Sequence, residues 1–147
     1  MEKTEKEFWK TKKLEDLNDS EWEALCDHCG KCCVQKFAEN GKTLFTNVIC
    51  DHLCLPDCGC RIYKDRLSTG FCIKVNMQTV REMPYLLPST CAYKLLLNGR
   101  NLPDWHPLVT GRAGSVYSAG RSLANLKVIT ELLACVDPAA IEIIETV

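Results

Sequence analysis

Apolar residues along this chain come in short pieces broken by charge, proline and glycine; the longest are Leu95-Leu96-Leu97 and the tail from Ala139 to Ile144, which Glu142 interrupts. The first 17 residues alternate charges and carry Phe8, Trp9, Leu14 and Leu17 as their only sizeable apolar groups, which predicts an arm that packs a few anchors onto the body. Asp19 or Ser20 is placed to cap a short helix through Trp22 and Leu25, because a side-chain oxygen there can accept the first free amide protons, and that helix runs into Cys26. Asn40-Gly41 is a hairpin-type turn signal, and Thr43 to Ile49 reads as a strand ending at Cys50. Residues 51–61, with Pro56 and Gly59, show no period and predict no regular structure.

In the second half, Asn76 predicts a capped helix over 77–83 that stops at Pro84, and a further helix runs from about Cys91 to Asn98 with Gly99 at its carboxyl end. A third short helix is expected around Ser115–Ala119, a strand-like piece at Leu126–Ile129, and a terminal helix from the cap-plus-first-turn pair Asp137-Pro138. Together these elements predict an α+β fold: a small, loop-rich single domain with short helices and a few strands. Its parts are an arm over 1–17, a cysteine-bearing body over 18–130 and a carboxyl-terminal helix of the same domain over 131–147. No internal repeat or low-complexity segment is visible.

Composition changes this picture in one respect. The chain has 147 residues, 46% of them hydrophobic and 25% charged, enough for one modest core, but eleven are cysteine. That fraction lies just below the roughly 8–10% expected of a secreted disulfide scaffold. The charged amino terminus lacks the apolar run of a signal peptide, and no stretch nears the ~20 apolar residues of a membrane span. A soluble, cytoplasmic protein follows, with no membrane contact, and in that compartment clustered thiols stay reduced and bind metal. The formal net charge is -1, yet between Arg61 and Lys127 ten Lys or Arg face three acids. Such an excess can serve nucleic acid, but no dense basic run or interleaved aromatic platform accompanies it, and cations that offset an anionic thiolate centre explain it better.

The chemistry lies in the spacing. Cys26-Asp-His-Cys29-Gly-Lys-Cys32-Cys33 places four thiols within eight residues, and Cys50, Cys54, Cys58, Cys60, Cys72 and Cys91 follow. Soft anionic sulfur suits zinc and iron-sulfur clusters alike, and two-residue spacings let successive sulfurs reach one centre, with Gly30 permitting the tight backbone. Cys26, Cys29 and Cys32 satisfy that geometry. Cys33, whose adjacent side chain points elsewhere, is free to join a second centre, bridge two ions or stay unligated. Cys50, Cys58, Cys60, Cys72 and Cys91 can complete one or two sites. Metal then replaces much of an ordinary core, and the loop at 51–61 depends on it. Cys54 is as consistent with a plain thiol as with a ligand, and Cys135, between Ala134 and Val136, reads as core. His28, inside the knuckle, and His52, after Cys50, could each replace a thiolate but read first as exposed. His106, in Asp104-Trp105-His106-Pro107, reads first as a packed histidine and second as a ligand or proton carrier.

No phosphate-cradling glycine loop, nucleophile elbow or His-Glu-x-x-His helix occurs. A Cys33 nucleophile acidified by Lys31 and a metal is chemically conceivable but lacks a visible base.

Cys26-x-x-Cys29-Gly30-x-Cys32-Cys33 resembles the signature of the CxxCxxCC zinc- or iron-chelating domain, and the longer pattern resembles its bacterial YcgN-type (UPF0260) subfamily. The residues carrying this resemblance are Phe8-Trp9-Lys10, Leu14 to Leu17, Ser20-Glu-Trp22-Glu, Phe45-Thr-Asn-Val48-x-Cys50, Thr90-Cys-Ala-Tyr93 and Leu102-Pro-x-Trp105-His-Pro-Leu-Val109. The resemblance spans about residues 8–125. It implies cysteine-bound metal at Cys26, Cys29, Cys32, Cys33, Cys50, Cys58, Cys60, Cys72 and Cys91, leaves Cys54 and Cys135 as extras, and supplies no agreed biochemical role. A related domain in flagellin lysine methylation proteins implies the alternative of a cluster paired with transfer chemistry. The expectation is therefore a metal-binding protein, zinc slightly ahead of an iron-sulfur cluster, with a structural role or an unidentified protein partner. The alternative is an iron-sulfur redox protein or metalloenzyme using the cluster with Cys33 and His106.

Overall fold

The computed structural model describes residues 7–55, 58–60 and 75–147, with the backbone alone at Cys54, Gly59 and Cys60. The arm holds a one-turn helix α1 (Phe8–Thr11) and a 3-10 turn at Leu14–Asp16, and it is fastened by its apolar residues, Phe8 and Leu14 being buried. Helix α2 (Asp19–Ala24) is capped by Asn18, one residue before the expected caps. The Asn18 side chain accepts from the Glu21 amide while Glu21 reaches back to the Asn18 amide, so the pair forms a reciprocal capping box. Glu21 itself is fully buried, and Lys12 from the arm lies 3.1 Å from its carboxylate.

Strands β1 (Val34–Glu39) and β2 (Lys42–Ile49) form the hairpin that Asn40-Gly41 signals, both turn residues having positive φ (51° and 76°) as a two-residue mirror-image turn requires. Beyond it, two-residue strands β3 (Leu53–Cys54) and β4 (Gly59–Cys60) pair antiparallel in a loop expected to be irregular. Helices α3 (Met77–Glu82), α4 (Ala92–Leu97), α5 (Pro107–Thr110), α6 (Ser115–Ser118) and α7 (Glu131–Val136) follow. Asn76 caps α3 as expected, its side chain accepting from the Thr79 amide. The segment at Leu126–Ile129 forms no full strand; Ile129 makes a single parallel bridge to Val48.

The carboxyl end departs most from expectation. Asp137-Pro138 opens only a 3-10 turn at Pro138–Ala140, and the apolar tail then becomes strand β5 (Ile143–Thr146), pairing antiparallel with β2 in a sheet of order β1-β2-β5. The reason is the open edge of β2, whose ladder groups β5 satisfies. Asn47, almost fully buried, fastens the junction: its amide nitrogen donates to the Lys127 and Ala140 carbonyls at 3.0 and 3.3 Å, and its side-chain oxygen accepts from the Glu142 amide at 2.8 Å.

The result is a small α+β fold with two core clusters. One, around Phe8, Leu14, Leu25, Val80, Leu87, Ala92, Tyr93 and Leu102, joins the arm to α2, α3 and α4. The other, around Val34, Phe45, Leu53, Cys58 and Leu123, lies on the sheet. Among the described residues no helix is long and apolar enough to cross a membrane.

Candidate metal centre

The cysteine knuckle sits where the two cores meet. Leu25, fully buried at the end of α2, anchors its entrance. Asp27 then folds the chain: its Oδ1 accepts from the Cys29 amide at 3.1 Å, the side-chain-to-backbone turn typical of aspartate. His28 and Gly30 take positive φ (60° and 80°), and the Cys33 amide donates to the Gly30 carbonyl at 3.0 Å to close a 3-10 turn over Lys31–Cys33. Gly30 is required on steric grounds as well, because a Cβ there would lie 2.8 Å from Cys58 Sγ and 3.2 Å from Leu123 Cβ.

From this knuckle the fold reaches distant cysteines by three routes. The hairpin pairs Val34 with Ile49, so its open end brings Cys50 beside Cys33, and the Cys50 amide donates to the Cys33 carbonyl at 2.9 Å. Cys58 is buried under Gly30, its thiol 3.6 Å from the Cys29 carbonyl and 3.4 Å from Ser122 Oγ. Cys91, the residue before α4, packs with Cys26 and Cys32 against the helical core, whereas Cys33, Cys50 and Cys58 belong to the sheet core. Cys32 and Cys33 link the two sets, with sulfurs 4.0 Å apart.

Electrostatics follow this packing. Burial pushes the Cys26 thiol far up and the Cys29 thiol well above its ordinary value, with nearby Cys32 and Asp27 adding to both. Burial likewise raises Cys91 to about 11 and raises Cys58. Cys32 goes the other way, below its ordinary value, because Cys33 hydrogen-bonds to it and the Lys36 ammonium lies near. Lys36 is held there by bonds to the Cys32 and Val34 carbonyls at 2.8 and 3.0 Å, with its ammonium 5.2 Å from the centre of the Phe45 ring. The charge of Cys32 adds in turn to the rise at Cys26, Cys29, Cys58 and Cys91.

Among the described residues no group of three or more Cys, His, Asp or Glu side chains is placed to hold a metal ion. The Cys60 side chain and Cys72, both expected ligands, lie outside the described residues. The donor set nonetheless suits a soft cation in its chemistry: buried thiols that resist ionisation without positive charge, one acidified sulfur among them and a lysine beside it.

The histidines fall as follows: His28 is exposed, His52 half-buried, and His106 fully buried. Both ring nitrogens of His106 are committed. Nδ1 accepts from the Leu108 amide at 3.0 Å, so Nε2 carries the proton and donates to the Leu25 carbonyl at 2.7 Å, bracing the helix that feeds the knuckle. Burial lowers its pKa, which keeps the ring neutral. It is a packed histidine, with no nitrogen left for metal or for proton transfer. Cys135 corrects the expectation of a core residue: it is exposed on α7, where Leu132 and Val136 are 75% and 72% accessible, because β5 rather than this helix covers the sheet edge. Asp27, Lys36, Ser122 and Glu145 were not singled out in the sequence. Only Asp27 had a local signal, an aspartate two residues before an amide in need of an acceptor.

Relatives of this chain occur in several bacteria. A UPF0260 protein of Aliivibrio fischeri is 42% identical over 122 residues, covering 81% of this chain and 83% of that protein. UPF0260 proteins of Vibrio vulnificus and Vibrio cholerae are each 41% identical over 128 residues, covering 85% of this chain and 87% of their own length. No family model and no solved structure matches.

Proposed function

This chain belongs to the UPF0260 family, and from that premise we propose that it is a cysteine-cluster metal-binding protein, holding zinc or an iron-sulfur cluster in a structural or partner-binding role. The observation that carries this reading is that seven thiols from four separate stretches of chain pack at or beside two cores that Cys32 and Cys33, with sulfurs 4.0 Å apart, join. Buried free cysteines otherwise behave as scattered small apolar groups. Cys26, Cys29, Cys32 and Cys91 would hold the ion on the helical side, with Cys33, Cys50 and Cys58 on the sheet side and Cys60 and Cys72 as further donors. When bound, such a centre supplies positive charge that ionises the buried thiols and ties the knuckle to both cores. Lys36 then neutralises part of the thiolate charge and His106 fixes the entrance to the knuckle. The redox or metalloenzyme alternative gains nothing from His106, whose ring is spent on backbone hydrogen bonds.

Purification without oxygen, followed by elemental analysis and a visible spectrum, tests the reading. A colourless protein with stoichiometric zinc, or a brown one with iron and sulfide, supports it. A folded protein that carries neither and takes up neither would sink it.

A further inference from the structure

Glu145 lies in the last strand, paired across from Phe45, and its side chain is only 15% accessible. One carboxylate oxygen stands 3.5 Å from Lys31 Nζ, and Lys31 lies between Cys29 and Cys32 in the knuckle. The other accepts from the Ser89 amide at 2.7 Å and from Ser89 Oγ at 3.3 Å. Ser89 lies within the turn from Pro88 to Cys91, which the Cys91 amide closes by donating to the Pro88 carbonyl at 3.0 Å. One half-buried carboxylate therefore grips both cysteine-bearing segments of the helical side, which sequence separates by more than fifty residues.

We propose that Glu145 is a positioning residue of the cysteine centre, which, by bonding Lys31 and Ser89 at once, holds Cys91 against the Cys26–Cys32 knuckle and slows loss of the metal. This rests on the metal-binding reading above. The physical basis is that charge-assisted hydrogen bonds from a rigid strand orient the backbone carrying the ligands, as partners just outside a metal's ligand shell generally do. A carboxylate suits the task better than an amide because it engages Lys31 by charge and Ser89 by two acceptor bonds. The strand that carries it is itself fixed by Asn47 and by the reciprocal Thr43–Val147 backbone bonds, at 2.7 and 2.8 Å.

The test uses the full chain purified with its metal, and follows transfer of that metal to the chromophoric chelator 4-(2-pyridylazo)resorcinol. Glu145→Ala is expected to release metal about tenfold faster or more. Glu145→Gln, which still offers Ser89 an acceptor but loses the charge toward Lys31, is expected to fall between Ala and wild type. Ile144→Ala is the control for simple destabilisation, since Ile144 packs the same strand onto the sheet core and carries no carboxylate to bond Lys31 or Ser89. It should lower the melting temperature and leave release unchanged. Release from Glu145→Ala at the wild-type rate, or equal acceleration by Ile144→Ala, overturns the proposal. If the wild-type protein binds no metal, the metal-binding reading fails on its own, and the alkylation rate of Cys91 by iodoacetamide, read by peptide mass spectrometry, decides on Glu145. Faster alkylation in Glu145→Ala than in Ile144→Ala supports the grip on the Cys91 turn, and equal rates refute it.

Discussion

Replacing Gly30 by alanine tests the knuckle's packing with an internal reference. Gly30 and Gly41 both hold a left-handed backbone, at φ 80° and 76°, so alanine at either costs about 1–2 kcal/mol of conformational strain. Their surroundings differ. At Gly41 an added Cβ meets nothing within 4 Å, whereas at Gly30 it lies 2.8 Å from Cys58 Sγ, 3.1 Å from Cys58 Cβ and 3.2 Å from Leu123 Cβ. Neither neighbour can easily withdraw: Leu123 is fully buried and its amide is bonded to the Cys29 carbonyl at 2.7 Å, and Cys58 is wedged between that carbonyl and Ser122. Overpacking of this kind adds about 1–3 kcal/mol. Gly30→Ala should therefore cost about 2–5 kcal/mol in all, against about 1–2 kcal/mol for Gly41→Ala. Equilibrium urea unfolding of the two variants at equal metal content, followed by tryptophan fluorescence, measures the difference. Equal costs for the two substitutions would show that Cys58 and Leu123 do not press on Gly30, and the account of the knuckle would be wrong.

Two further outcomes follow from the same geometry. Because burial depresses the His106 pKa in the folded protein, protonation favours the unfolded chain. Its contribution is complete above the unfolded value of about 6.5 and is lost as pH falls through the lower folded value. Urea midpoints measured from pH 7.5 to 5 should fall more steeply for wild type than for His106→Gln, and parallel slopes would refute the neutral, doubly bonded ring. Cys135, exposed on α7, should react with iodoacetamide in the native protein far faster than buried Cys29, as peptide mass spectrometry can show, and comparable rates would place α7 against the body.

Capping and turn signals that act over three or four residues were legible from the chain alone. Asn76 capping α3, the Asn40-Gly41 hairpin and Gly99 after α4 are all where local chemistry puts them, because each depends on one side chain and the amides beside it. The cap of α2 shifted to Asn18, since the reciprocal bond with Glu21 satisfies two amides where Asp19 or Ser20 would satisfy one. Likewise Gly30, expected to permit a tight backbone between the cysteines, has the left-handed conformation such a turn needs, at φ 80°.

What tertiary structure alone decided is of another kind. Whether the tail after Pro138 became helix or strand depended on an unpaired edge of β2, nearly a hundred residues earlier in the chain. Cys135 lost its place in the core for the same reason, and His106 was settled by a carbonyl at Leu25 that no local pattern connects to it. Which cysteines share a neighbourhood was also fixed at long range, by the hairpin that returns Cys50 to Cys33 and by the core that sets Cys91 beside Cys26 and Cys32. Sequence determines the interactions a residue makes with its near neighbours; partners that must first be brought together by burial and strand pairing exist only once the chain has folded.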